Sequence, residues 1–554
     1  MSSWMTYYPR PQLRRASFLS LNGEWTLNDQ AIQVPFPPQS TMSGYQGEVP
    51  ALMQYDRLFT LPGDFVPDGF RVLLHIGAVD QVADVCGNGR PAVHHEGGYL
   101  PFSADITDLL RAGENQLSVA AIDMLDRDFP YGKQCRKPHG MWYTPVSGIW
   151  QSVWLEAVPE RHIRAVRITP DLTGIALQVD SDAAHCDVTI RFAGEEVVHA
   201  SFALTDKPFR IDLPEAHRHL WTPAAPPLYD MTIRAGADTA ESYFALRTVD
   251  IREDAKSVQR ICLNGAPVFL NGVLDQGYFP EGIFLPETPE AYEEDVRRMK
   301  ALGFNLLRKH IKVEPEAFYH ACDRLGMLVM QDMVNSGGYS FLLDTALPTI
   351  GVKKRPKLPA SKRREEIFIG HSLDTIRHLH NHPCVVAYTI FNEGWGQFKA
   401  DEMYRRFREA DGTRIWDTAS GWFTPRETDV DSVHVYFRTK KLKPGKRPML
   451  LSECGGYARP IPGHLFSPDA SYGYGKTGTE AQLTAAIAGM YREMVNPAIP
   501  AGLCGVVYTQ LSDVEGEING LYTYDRQVCK VDKEKMRLIL AEAADILRDA
   551  VQAD

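Results

Sequence analysis

The 554-residue chain has few cysteines, no excess of positive charge and no long hydrophobic run. Each absence excludes something. Nine cysteines without one Cys-x-x-Cys pair offer no zinc-binding spacing and no disulfide framework. Those inside apolar runs, Cys384 and Cys504 among them, read as small reduced hydrophobes. Lysine and arginine total 59 against 70 aspartates and glutamates, a formal charge of -11. That speaks against nucleic acid as a partner, because phosphate binding needs a basic surface. No run of about 18 apolar residues occurs, so no membrane-spanning helix is expected. The N-terminal stretch lacks the apolar segment of about 7–15 residues that marks secretion, so the expected location is cytoplasmic. What is present, 44% hydrophobic and 23% charged residues, is the balance of a globular protein.

Three regions differ in pattern. Residues 1–158 alternate in short runs with turn punctuation, as at Gly87-Asn88-Gly89, and show no helical period. This predicts an all-β sandwich or jelly roll. Residues 159–250 hold six or seven shorter runs, which predicts an immunoglobulin-like β-sandwich. From 251 to 554, strand-like runs alternate with amphipathic helices. Eight such runs, from "VFLNGVLDQ" to "GLCGVVYTQ", predict a catalytic (β/α)8 TIM barrel. The fold class is therefore multidomain. The first barrel helix is predicted over Pro289–Leu302, with Thr288 as N-cap and Gly303 past its end; the last begins near Lys533. The segments "GWFTPRETDVD" and "RTKKLKPGKR" are too short or too polar for full helices, so the barrel should be irregular after strands five and six.

In such a barrel, side chains at the C-terminal strand ends converge on one mouth. They are Asp275, Gln276, Arg308, His310, Asp332, Asn392, Glu393, Ser420, His434, Tyr436, Glu453 and Gln510. Glu393 ends strand four in "YTIFNEGWGQF" and Glu453 ends strand seven in "LLSECGG". Two carboxylates flanking a glycosidic bond are the minimum equipment for its hydrolysis, one protonated and one ionised. Repulsion and burial separate their pKa values. A lone strand-end glutamate is more often a rim ion pair, but two among so many polar neighbours favour chemistry. Trp395 is a candidate for stacking on a sugar. Asp275 and Asp332 either bind sugar hydroxyls or pair with Arg308. His378, His380 and His382 read as a solvated helix end, because alternate spacing does not put three rings on one helix face. The polar loop Asp126–Gly140 is a candidate pocket wall.

"LNGEW", "HEGGYLPFSADIT", "SGIWQSVWLE", "LWTPAAPPLY", "LGFNLLRKH", "HNHPCVVAYTIFNE" and "LLSECGG", in this order, resemble glycoside hydrolase family 2, the β-galactosidases, β-glucuronidases and β-mannosidases. The resemblance implies that Glu393 is the general acid/base and that Asn392 holds the sugar's 2-hydroxyl. It also implies that Glu453 is the nucleophile of a retaining mechanism, aimed by Arg308 and Tyr436, with the carboxyl groups about 5–5.5 Å apart. There are departures. Arg308-Lys309-His310 stands where many members have Arg-x-Ser-His. "QDMVNSGG" lacks the Glu and His that bind magnesium in the large β-galactosidases, so no metal and no cofactor is expected. Asn519-Gly520-Leu521 lacks the lysine of the Asn-x-Lys with which β-glucuronidases grip the sugar carboxylate, which counts against glucuronides. The expected function is a retaining exo-β-glycosidase, with β-galactosidase first. The alternatives are a β-galactofuranoside, α-L-arabinofuranoside, β-glucuronide or β-mannoside substrate, or an inactive carbohydrate-binding protein. The expected partner is a small glycoside, with neither nucleic acid nor membrane; a homo-oligomer is open.

Overall fold

Alternating burial builds the N-terminal part. Gly23–Leu27 and Glu114–Ile122 bury every second residue, the signature of a strand with one face on a core. In the computed structural model, which describes residues 3–340, 342–349, 360–436 and 438–552, a six-stranded antiparallel sheet holds both strands. A four-stranded sheet contains Phe70–Ile76 and Val153–Pro159. Trp25, Tyr55, Leu74, Val119 and Leu155 belong to the core of these strands. A second sandwich follows, with three strands including Ile163–Pro170 and four including Tyr229–Ala235. Among the described residues, no helix is long and apolar enough to cross a membrane. All nine cysteines are free thiols.

The barrel strands are β1 (Leu270–Asp275), β2 (Leu306–Lys309), β3 (Leu328–Asp332), β4 (Val385–Asn392), β5 (Ile415–Ser420), β6 (Asp431–Tyr436), β7 (Met449–Gly455) and β8 (Leu503–Thr509). They pair in parallel in the order β5-β4-β3-β2-β1-β8-β7-β6. Most are buried along their whole length, as parallel strands covered on both faces must be. The ladder is open between β5 and β6. As expected there, no helix separates β5 from β6, and none lies between β6 and β7 among the described residues. Asp429 bridges the seam instead: its backbone N–H donates to Trp416 O and its carboxylate accepts from Trp416 N.

Two local expectations need correction. The first helix, α1 (Glu290–Leu302), starts one residue later than predicted and Pro289 takes the cap position, so Thr288 is not the N-cap. Gly303 ends it at φ 100°, as expected. The last helix spans Lys533–Gln552. His380 and His382 are buried rather than solvated. His382 pairs with Asp323 at 2.7 Å, and His380 lies 3.3 Å from Asp411 and 3.0 Å from Thr169 in the second sandwich. The sequence pattern of the segment could not show that this helix end is covered by another domain.

Each sandwich has its own core, and the barrel's apolar cluster reaches into both. Trp150 and Tyr143 of the first sandwich and Trp221 of the second belong to the same apolar cluster as the barrel strands. The loop from Asp126 to Tyr143 crosses onto the barrel mouth. Tyr131 N donates to Asn335 O (3.0 Å) and Tyr131 OH to Gly337 O (2.7 Å). Arg363 holds Asp126 and Asp128 at 2.9 and 3.1 Å. Gly132 is required here. Its φ is +68°, and a Cβ would stand 3.1 Å from Ile311 O and 2.8 Å from Tyr99 OH.

Candidate active site

Strand four stops at Asn392 because Glu393 turns into the left-handed region, φ 51°, which a non-glycine residue adopts at a cost. The turn is held by Glu393 N donating to Ser420 O on β5 (2.9 Å). Across the mouth, Glu453 rises from β7. A carboxylate oxygen of each lies within 4.8 Å of the other, and the residues are only 7% and 5% exposed.

Arg308 is the hub beneath them. Its Nη1 donates to Glu453 Oε1 and Ser452 O, both at 3.0 Å; Nε donates to Asp332 Oδ1 at 3.0 Å and Nη2 to Asn392 Oδ1 at 2.9 Å. Asp332 completes its set with His310 Nδ1 at 2.7 Å. Burial lowers His310 to a pKa of about 4, so it is neutral near pH 7. With Nδ1–H donated to Asp332, Nε2 is left as an acceptor. Asn392 has committed its oxygen to Arg308, and its N–H₂ is what remains for a hydroxyl.

The two glutamates lie in opposite electrostatic settings. Burial raises Glu393 above the ordinary carboxylate range and the nearby Glu453 adds to the rise, while His434 opposes it. Burial also disfavours ionised Glu453, but His434 and Arg308 outweigh it and hold the pKa at about 2. Tyr436 OH donates to Glu453 Oε2. His434 sits between the pair, Nδ1 at 2.8 Å from Glu393 Oε1 and Nε2 at 3.6 Å from Glu453 Oε1. Glu393, His434 and Glu453 also have the spacing of a metal-ligand trio. Both ring nitrogens are already engaged, however, Nδ1 by Glu393 and Nε2 by Ser420 Oγ at 2.7 Å, so the imidazole has no lone pair to spare.

Most of the expected residues therefore meet in one network, but not all as sugar ligands. Arg308 and Asp332 are fully engaged under the site, their side chains 0% and 1% exposed, and position the others. Asp275 is not part of it. Successive strand residues point to opposite faces, and Asp275 pairs at 2.6 Å with Lys309, the neighbour of Arg308 that points the other way. Gln510 donates to Asn519 Oδ1 at 2.8 Å and, among the described residues, has no hydrogen bond with either glutamate. Trp395 is buried, with Trp142 stacked 5.3 Å from it, so that face is closed to a sugar. Ser420, expected at the end of strand five, does meet His434 Nε2; sequence reasoning missed Lys133, Trp142 and Asn335. The polar loop Asp126–Gly140 was a signal for Lys133, since it does reach the mouth; Trp142, just past it, and Asn335 had none. Trp422 donates to Glu393 O at 3.1 Å and serves as a brace.

With this geometry in hand, comparison with known proteins is informative. The family description "Glycosyl hydrolases family 2, sugar binding domain" matches residues 9–159, and "Glycosyl hydrolases family 2, TIM barrel domain" matches residues 256–451. The second match stops short of Glu453, whose placement rests on the barrel geometry. The chain is 27% identical over 417 residues to a β-galactosidase of Aeromonas hydrophila subsp. hydrophila, covering 70% of this chain and 38% of that protein. It is 26% identical over 377 residues to a β-glucuronidase of Felis catus, covering 61% of this chain and 54% of that protein. The chain thus spans well under two thirds of the length of these relatives. A solved β-D-glucuronidase structure for Dictyoglomus thermophilum superposes with a TM-score of 0.76 at 17% identity, over 96% of this chain and 98% of that one. Both family descriptions, in the expected order over more than half of the sequence, establish that the chain belongs to glycoside hydrolase family 2.

Proposed function

We propose that the protein is a retaining exo-β-glycosidase in which Glu453 is the nucleophile and Glu393 the general acid/base. The observation that carries this reading is the contrast between the two carboxyls: close together, one held ionised, one biased to keep its proton. Glu453 attacks the anomeric carbon as Glu393 protonates the departing oxygen, giving a covalent glycosyl-enzyme. Water then attacks that carbon, giving its proton to Glu393 and freeing Glu453. His434 at Glu393 Oε1 leaves Oε2 to carry the transferable proton. The short spacing supports retention, since an inverting pair needs about 6.5–9.5 Å to admit water. The packing of the sandwich loop onto one side of the mouth supports action on a chain end. A β-galactoside is supported by the name of the Aeromonas relative, a β-glucuronide by that of the Felis relative.

The test is Glu393→Gln. With a phenolic leaving group of high pKa, kcat/KM falls by about 10²–10⁴-fold; with 2,4-dinitrophenolate, which needs no proton, it falls far less. The wild-type profile declines on the alkaline side, as Glu393 loses its proton above its raised pKa, and that limb disappears in the variant. Inversion at the anomeric carbon, followed by proton NMR, would sink the mechanism.

A further inference from the structure

Resting on the glycosidase reading, we propose that Lys133 selects a terminal sugar bearing a carboxylate, a hexuronide. Ten lysines and arginines are buried among the described residues. Nine donate to carboxylates or carbonyls: Arg308 to Asp332 and Glu453, Lys309 to Asp275 and Glu314, Lys530 to Asp513, Arg247 to Pro383 O and Val385 O, and the others likewise. Lys133 is the exception. It is 7% exposed, yet its ammonium has no hydrogen bond or ion pair with the described residues. Its neighbours are the rings of Tyr143 and Trp395, whose centroids lie 5.6 and 5.8 Å from Nζ. Aromatic faces stabilise a cation but accept no hydrogen bond of ordinary strength, so the ammonium at the end of this largely buried side chain is left to take its anion from a ligand.

Its position is fixed and faces the chemistry. Gly132 backs against Ile311 O, and Gln134 is tied to Asp80 at 2.8 Å and to Val146 N at 2.6 Å. Trp395 follows Glu393 by two residues, and Lys133 contributes to the electrostatics of His310, Glu393 and Glu453. Two more polar groups of the same wall, Trp395 Nε1 and the Asn335 side-chain amide (both Nδ2 and Oδ1), are buried without a partner among the described residues. One ammonium with neutral donors beside it suits a monovalent carboxylate; a neutral hexose supplies no charge to match. The strand-eight lysine that Asn519-Gly520-Leu521 lacks is thus replaced by a cation from the N-terminal sandwich, which removes the ground for excluding uronides.

The experiment compares kcat/KM for 4-nitrophenyl β-glucuronide and β-galacturonide with the matching β-glucoside and β-galactoside, using wild type, Lys133→Gln and Lys133→Arg. At least one uronide should exceed its neutral counterpart by about 100-fold in the wild type, the size of a charge-assisted hydrogen bond. Lys133→Gln should cut that ratio by at least about 30-fold, and Lys133→Arg should keep more of it. Neutral sugars preferred in both pairs would overturn the proposal and leave the glycosidase reading standing. So would an equal loss for both members of a pair in Lys133→Gln. No turnover of any glycoside would overturn both. Should a variant fail to fold, the wild-type ratio decides alone.

Discussion

Glu453→Gln should lower kcat by on the order of 10⁴-fold or more, as removal of a nucleophile does when its neighbours stay in place. The amide oxygen can still accept from Arg308, and the amide N–H₂ can donate to the Tyr436 hydroxyl, which accepts as well as donates, so the far-UV spectrum and melting temperature should stay close to wild type. Loss of activity then reports chemistry rather than folding. Two further outcomes give the assignment content. A 2-deoxy-2-fluoro glycoside with a good leaving group should leave its sugar on the peptide containing Glu453, found by mass spectrometry, because the fluorine slows release of the intermediate. In Glu453→Gly, azide should fill the vacated space and attack from the same face, giving the α-glycosyl azide. Label on Glu393, or full activity in Glu453→Gln, would assign the roles wrongly.

Arg308→Met should be the most destabilising change in the site. The guanidinium is 0% exposed and makes four hydrogen bonds, two of them to carboxylates. Its removal leaves Asp332 and Glu453 buried with diminished compensation, and breaking a buried pair this way costs about 3–5 kcal/mol. Chemical denaturation at pH 7 measures it. The pH dependence has a definite sign. Glu453 is depressed to about 2 from an ordinary 4.5, so its ionisation contributes stability above about pH 4.5 that is lost as pH falls through 2. Without Arg308, that depression shrinks and the variant has less to lose. The gap between wild type and variant should therefore be widest near neutrality and narrow towards pH 3. The acid limb of kcat/KM should also move to higher pH. A constant gap would mean that Arg308 acts through packing alone.

Much of this site was legible before any coordinates. Strand ends carry polar residues for a reason in a barrel, and "IFNE" and "LLSEC" each end an apolar run on a glutamate. The period-two pattern of the first 250 residues and the strand–helix alternation after them are local consequences of which faces are buried. The irregular seam after β5 was also legible, since a helix cannot form in so short a polar connection.

Side-chain direction was less accessible. Arg308 and Lys309 are adjacent and alike in charge; only the pleat decides that one faces Glu453 and the other Asp275. That decision removed Asp275 from the site. His380 and His382 were misjudged for a related reason, as a helix end is solvated or buried according to what another domain lays over it. Lys133 is the extreme case, about 260 residues from Glu393 along the chain and set into its wall by a loop from another sheet.

The sequence by itself thus determined the fold class, the family and the two glutamates, because periodicity and strand-end chemistry are written locally. The resemblance already implied their roles; only the tertiary structure supplied the opposite electrostatic settings of the two carboxyls and the cation in the wall that has no ion pair among the described residues. Those properties depend on burial and on through-space charge, and neither is a function of distance along the chain.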